Sequence, residues 1–222
     1  MFLYIVSTPI GNLKDITLRA LDTLKSVDLI LCEDTRVTAK LLQKYDIQKP
    51  CLSYHQHSKI QQIDKILNLF QAGKNLALVS DAGTPGIADP GNMLIQKTLE
   101  KFGDSIKIVP IPGVSALTAL ASVSGTNTDK FLFLGFLPAK KGRTKILEEV
   151  KNSKHPVIFY ESKYKIVKTL NDIKNILPEC KVVVGREITK VFETIYRGFI
   201  EEVLEQMRHN PQKGEYVVLV ER

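Results

Sequence analysis

A short apolar run, Leu76-Ala77-Leu78-Val79, opens into Ser80-Asp81-Ala82-Gly83-Thr84-Pro85-Gly86-Ile87-Ala88-Asp89-Pro90-Gly91. These twelve residues hold three Gly, two Pro and two Asp. Glycine permits positive φ and close backbone approach, and proline fixes the path between. A buried strand that empties into a rigid, acid-bearing loop is how an open α/β sheet presents a ligand at the carboxyl ends of its strands. The competing reading, an ordinary surface turn, needs far less special backbone.

The same alternation runs along the first half of the chain. Residues 2–6 form an apolar run that ends in Ser7-Thr8-Pro9-Ile10-Gly11-Asn12, and Leu13, Ile16, Ala20, Leu21 and Leu24 then recur at helical spacing. Residues 27–32 form a second run, ended by Glu33-Asp34-Thr35-Arg36, with a helix expected around Leu41 and Leu42. Ile60, Ile63, Ile66, Leu67 and Phe70 define an amphipathic helix stopped at Gly73. Residues 93–102 read as a helix and 106–109 as a strand, before Pro110-Ile111-Pro112-Gly113 and a small-residue helix over 114–123. Strands alternating with helices predict a mostly parallel sheet with helices on both faces.

Ser, Gly, Thr and Asn cluster over residues 122–130, so the expected domains are 1–122 and 123–222. The second part reads strand 131–136, helix 144–151, strand 157–160, helix 164–177, strands 181–186 and 192–197, helix 200–207 and strand 216–220. A hairpin near 187–197 predicts a mixed sheet there. The expected fold class is therefore α/β, with an N-terminal parallel-sheet domain and a C-terminal mixed-sheet α/β domain.

The 222-residue chain carries a net charge of +7. Up to Gly125 there are 13 basic and 11 acidic residues; beyond it, 18 and 13. The excess leans toward the second part and is compatible with a polyanionic partner. Cys32, Cys51 and Cys180 have no metal-type spacing, and Cys32 and Cys180 read as reduced core residues. His55 and His57 share a loop that is either substrate-facing or solvated. No apolar run reaches membrane-spanning length and the first residues lack a signal-peptide pattern, so the cytoplasm is expected.

Four loops thus follow four expected strands and would share one sheet edge: residues 7–12, 32–36, 80–91 and 110–115. Such loops offer backbone N–H and C=O groups to a small flat or zwitterionic ligand. No Gly-Lys-Ser/Thr follows a strand and no G-x-G-x-x-G is present, which argues against ATP hydrolysis and a standard dinucleotide site.

Taken with later segments, these loops resemble one family. The motifs are Thr8-Pro9-Ile10-Gly11-Asn12-Leu13, Cys32-Glu33-Asp34-Thr35-Arg36, residues 80–86, Asp89-Pro90-Gly91 and Pro112-Gly113-Val114-Ser115-Ala116. Phe133-Leu134-Gly135-Phe136-Leu137-Pro138, Tyr160-Glu161-Ser162 and Gly185-Arg186-Glu187-Ile188-Thr189-Lys190 continue the series. In order and type they resemble the small-subunit ribosomal RNA methyltransferase I branch of the tetrapyrrole (corrin/porphyrin) methylase superfamily. A C-terminal extension that some members carry is not part of the match.

The resemblance implies a homodimeric, S-adenosylmethionine-dependent enzyme whose cofactor lies in a cleft between two α/β domains. It implies methylation of the ribose 2′-oxygen of a decoding-centre cytidine in 16S rRNA, within the small ribosomal subunit. Asp81, Ala82, Gly83, Thr84 and Pro85 would lie against the methionine part of the cofactor, and Pro112, Gly113, Ser115 and Ala116 would line its other side. Leu134, Gly135, Tyr160 and Glu161 would approach the adenosine. Pro9, Gly11 and Asn12 would sit nearer the substrate.

Methyl transfer from a sulfonium depends on alignment, and a ribose hydroxyl also needs its proton removed or its developing charge stabilised. The candidates are Glu33, Asp34, Arg36, Glu187 and Lys190, with Asp34 and Arg36 as the expected substrate-side pair. Glu33 and Asp34 equally suit a helix cap, and Arg186 with Glu187 suits a structural ion pair or a dimer contact. Lys140-Lys141-Gly142-Arg143-Thr144-Lys145 puts four cations in six residues and reads as a basic loop for RNA or a solvated turn. Lys163, Lys165 and Lys168 add a second cationic segment. Two further functions are a tetrapyrrole (precorrin or uroporphyrinogen) methyltransferase on the same scaffold and a non-catalytic ribosome assembly factor. The Cys32-to-Arg36 motif and the basic loop favour RNA over the tetrapyrrole.

Overall fold

The computed structural model describes residues 1–55, 60–89, 91–208 and 213–222. His57 and Pro90, named above, lie outside the described residues. The chain divides into two compact units, Met1–Ser115 and Ala116–Arg222. The boundary anticipated at 122/123 thus falls at the far end of a helix that belongs wholly to the second unit.

The first unit contains strands β1 (Phe2–Val6), β2 (Leu29–Cys32), β3 (Cys51–Ser53), β4 (Leu76–Leu78) and β5 (Lys107–Ile111). Its helices are α1 (Leu18–Ser26), α2 (Thr35–Lys44), α3 (Ile60–Gln71) and α4 (Asn92–Phe102). The strands lie in the order β3-β2-β4-β1-β5, and every neighbouring pair is parallel. The chain therefore leaves every strand at the same edge, which gathers the four loops as their sequence positions predict.

Side chains alternate across each strand. Leu3, Ile5, Leu31, Leu76 and Leu78 pack with Ile63, Ile66, Leu67 and Phe70 of α3 and Leu94 of α4. Val6, Ile30, Cys32, Ala77 and Val79 pack with Ala20 and Leu24 of α1 and Leu41 and Leu42 of α2. Both faces are covered, which is why the strands read as continuous apolar runs.

The second unit contains α5 (Ala116–Val123), β6 (Leu132–Phe136), α6 (Arg143–Asn152), β7 (Val157–Ser162), α7 (Ile166–Ile176), β8 (Lys181–Arg186), β9 (Thr194–Phe199), α8 (Ile200–Arg208) and β10 (Glu215–Glu221). The strand order is β6-β7-β10-β8-β9. The β6–β7 pair is parallel and the other three pairs are antiparallel, so the sheet is mixed. Val157, Phe159, Val182, Val184 and Val218 face the core built by α6, α7 and α8. Ile158, Val183, Val217 and Leu219 face α5 through Leu120.

Cys32 and Cys180 are buried free thiols, and burial pushes both up to about 11, so they stay protonated. Among the described residues, no helix is long and apolar enough to cross a membrane.

Candidate functional site

Three of the four loops are bonded into one piece. After β1, the Thr8 N–H donates to the Gly83 carbonyl at 2.9 Å, and the Gly83 N–H returns a bond to the Thr8 carbonyl at 3.0 Å. Thr8 Oγ1 donates to the Ser80 carbonyl at 3.1 Å. The Ser7 and Thr84 hydroxyls are 2.8 Å apart, and Thr84 Oγ1 lies 3.4 Å from the Val114 carbonyl. These bonds tie the β1, β4 and β5 loops together through short polar side chains.

Two glycines are needed for this assembly. Gly83 sits at φ +81°, a left-handed conformation that a Cβ would strain. A Cβ on Gly113 would stand 2.9 Å from Ser7 Cβ, so nothing larger than hydrogen lets the β5 loop approach the β1 loop. Gly83 and Pro85 are buried, whereas Asp81, Ala82, Pro112 and Gly113 face solvent and Thr84 and Ser115 are half-buried. Pro9 is buried; Gly11 and Asn12 are exposed, and Asn12 accepts from the Lys14 N–H at 3.1 Å.

The fourth loop joins through acids. The Asp34 N–H donates to Asp81 Oδ1 at 3.0 Å. Asp34 is the N-cap of α2, accepting from the Arg36 N–H at 2.8 Å, and its carboxylate also holds the Arg36 guanidinium at 2.6 Å. The Arg36 side-chain bonds, with that backbone N–H, pull Asp34 down to about 2. Asp34 is thus a helix cap and an ion-pair partner of Arg36, and a weak base.

Burial, and then the nearby Asp81, push Glu33 above the ordinary carboxylate range; His55 opposes this and Asp34 adds to it. Asp89 entered the sequence reading as part of the Asp89-Pro90-Gly91 motif, without a role at the site. Burial, reinforced by Glu33, raises it to about 6, despite a stabilising hydrogen bond with Ser80. Its sequence signals were that motif and its being a second acid in a loop already rich in Gly and Pro. No group of His, Cys, Asp and Glu suited to a metal ion occurs among the described residues.

In the second unit the cofactor candidates separate. Leu134 and Gly135 lie at an irregularity in the β6–β7 register, with Gly135 at φ +60°. The Tyr160 ring lies 5.2 Å from Phe133 and 5.4 Å from Phe136, on the α5 side of the sheet. Glu161, next along β7, points to the opposite side. It is 1% exposed. It accepts from Thr169 Oγ1 at 2.7 Å and the Ser162 N–H at 2.7 Å, and pairs with Lys165 at 3.1 Å. The expectation that Tyr160 and Glu161 both approach one adenosine is corrected: strand alternation sends them to opposite faces, and the Glu161 carboxylate is satisfied inside the fold.

The basic segment divides as well. Lys140, Lys141 and Lys145 are exposed. Arg143 is turned inward: its side chain is 11% exposed and 2.7 Å from Asp172. It also donates to Thr169 Oγ1 at 3.0 Å and the Pro138 carbonyl at 3.1 Å. Its assignment as an RNA contact is corrected, because its donors fasten α6 to α7.

Glu187 and Lys190 are a linked pair. Lys190 Nζ lies 3.0 Å from Glu187 Oε1 and 2.8 Å from Glu215 Oε2, while the Glu215 N–H donates to Glu187 Oε1 at 2.8 Å. Burial alone would raise Glu187, but the Glu215 N–H and then Lys190 outweigh it and lower its pKa. The pair clamps the end of β8 to the start of β10; Glu187 makes its structural ion pair with Lys190 rather than with Arg186, whose Nε donates to the Lys213 carbonyl at 2.8 Å.

The fold is α/β in both units, and the family match makes the chain a methylase of that class. The chain belongs to the tetrapyrrole (corrin/porphyrin) methylases, whose family model matches residues 2–204, and within them to the ribosomal RNA small subunit methyltransferase I proteins. The relative of that name from Thermotoga maritima is 44% identical over 218 residues, covering 98% of this chain and 97% of the relative. The one from Escherichia coli O157:H7 is 45% identical over 223 residues, covering 99% and 77%. Among solved structures, a cobalt precorrin-4 methyltransferase superposes with a TM-score of 0.71 at 21% identity, over 99% of this chain and 94% of that one. At that identity the likeness concerns the fold alone.

Proposed function

We propose that the protein methylates small-subunit ribosomal RNA with S-adenosylmethionine, at the ribose 2′-oxygen of a decoding-centre cytidine, and that it does so in the cytoplasm as a homodimer. The observation that carries this reading is the near full-length likeness to relatives named for rRNA methylation. The tetrapyrrole alternative is supported by the broad family model and by a likeness of fold at 21% identity, both less specific than the relatives named for rRNA.

The loop chemistry fits the cofactor. S-adenosylmethionine carries positive charge on its ammonium and sulfonium groups, and Glu33, Asp34, Asp81 and Asp89 surround the loops with carboxylates. Asp81, Ala82, Gly83, Thr84 and Pro85, with Pro112, Gly113 and Ser115, would hold it through one carboxylate, small side chains and backbone groups. In the second unit, Leu134, Gly135 and Tyr160 remain the adenosine-side candidates, and Ala116 the one from α5. When bound, the cofactor supplies an electrophilic methyl group.

The chain's own contribution is alignment and proton removal. Glu33, lifted above the usual range, is a better proton acceptor for a ribose hydroxyl than Asp34, which Arg36 holds down. Arg36, with its side chain 87% exposed, is placed to meet a phosphate. Gly11 and Asn12 offer backbone and amide groups on the substrate side.

The test is to incubate the protein with methyl-labelled cofactor and small ribosomal subunits, and then to map the modified nucleotide. Label on a cytidine ribose is expected; label on a base overturns the mechanism. Absence of cofactor binding in calorimetry would leave only the assembly-factor reading. Asp81→Ala is expected to weaken that binding, and unchanged affinity would show that the cofactor lies elsewhere.

A further inference from the structure

The turn after β7 carries a ring that does no work in the core. Tyr164 is 84% exposed, and the Lys163 ammonium lies 4.9 Å from its ring centroid. The neighbouring cation behaves differently: Lys165 Nζ turns back to the Leu137 carbonyl at 3.1 Å and to Glu161. Arg143 reaches the Pro138 carbonyl and Asp172. Those two inward cations fasten the turn after β7 to the loop after β6, at the carboxyl ends of two parallel, adjacent strands. The charged and aromatic side chains left facing solvent on these segments are Lys140, Lys141, Lys145, Lys163, Tyr164 and Lys168. Residues 137–142 and 163–168 contain no acid.

We infer that Tyr164 is a stacking platform for an unpaired RNA base, on a strand whose phosphates meet Lys140, Lys141, Lys163 and Lys168. This rests on the proposed reading that the substrate is rRNA. Every base has a π-face, so an exposed ring among cations holds single-stranded RNA without reading its sequence. A cation over one face leaves the other for a base, and the bonds from Lys165 and Arg143 anchor the backbone segments that carry the ring. Charge alone would explain the lysines, but it does not explain a solvent-facing ring beside them.

The test is anisotropy of a labelled, unpaired RNA oligomer titrated with the full chain. Tyr164→Ala should weaken binding about tenfold, whereas Tyr164→Phe, which keeps the ring, should stay within about twofold of the parent. The salt dependence should be unchanged in Tyr164→Ala, because no phosphate contact is lost. It should fall in slope by about 1.4 in a Lys140→Ala/Lys141→Ala variant. Parent-like affinity of Tyr164→Ala overturns the platform. So does a loss seen only with vesicles of anionic phospholipid, which would assign the patch to a membrane surface. Methyl transfer by the parent chain to small subunits is measured alongside. If it proceeds while Tyr164→Ala binds the oligomer normally, the platform fails and the methyltransferase reading stands; if it does not proceed, that reading fails.

Discussion

Glu33 and Asp34 are adjacent carboxylates with opposite fates. One is desolvated beside Asp81, and the other is fixed by the first turn of α2 and by Arg36. Glu33→Gln should lower kcat by about 10²–10⁴ while leaving cofactor affinity close to that of the parent. Retained kcat would exclude Glu33 as the base. Asp89 allows a test by stability. Its folded pKa, about 6, lies above the unfolded value of 3.8. The folded state therefore favours the protonated form, and the associated stability is complete below about pH 4 and lost as pH rises through about 6. Asp89→Asn should accordingly gain about 1–2 kcal/mol at pH 8, after allowance for solvent screening, and nothing at pH 4. Denaturant midpoints at the two pH values measure the difference.

At the scale of elements, α6 and α7 are joined by Arg143 rather than by apolar contact alone. Removing it leaves Asp172 and the Pro138 carbonyl without their partner. Arg143→Ala should cost about 2–3 kcal/mol in a denaturation curve. Arg143→Lys should restore little of it, because one ammonium cannot reach the partners that a planar fork spans. This arginine also shows where sequence reading stopped. Four cations in six residues look alike in a string, but Gly142 at φ +85° ends the loop and makes Arg143 the first residue of α6. Glu161 escaped for a related reason: a motif places residues in order, whereas strand alternation decides which side of the sheet each one serves. Longer elements were legible because their apolar spacing is strong. Residues 181–186 coincide with β8, and the hairpin expected after it is the β8–β9 pair. The three-residue β3 at the sheet edge was not legible, because Cys51, Leu52 and Ser53 carry no period and none is fully buried. The bonded loops were legible as a set of Gly, Pro and hydroxyl residues, but their pairing, Thr8 with Gly83 and Ser7 with Thr84, joins positions too far apart for any local pattern.

In the whole molecule, both parts are net basic, but each unit carries a local cluster of one sign. The first unit gathers carboxylates at the edge of its parallel sheet, and the second carries the exposed lysines beside Tyr164. A cationic small molecule and a polyanion would therefore each meet a surface of opposite sign, on different units of one chain. The two sheets also differ in when their strands become available. The parallel sheet has all five strands once Ile111 has been made. In the mixed sheet β10 lies between β7 and β8, antiparallel to both. Until residues 215–221 leave the ribosome, the inner edges of β7 and β8 have no partner. Translation at about 5–20 residues per second spaces the two completions by on the order of ten seconds. During that interval a nascent chain would hold a finished first unit beside an open second one, and a chaperone that recognises unpaired strand edges would find its target there.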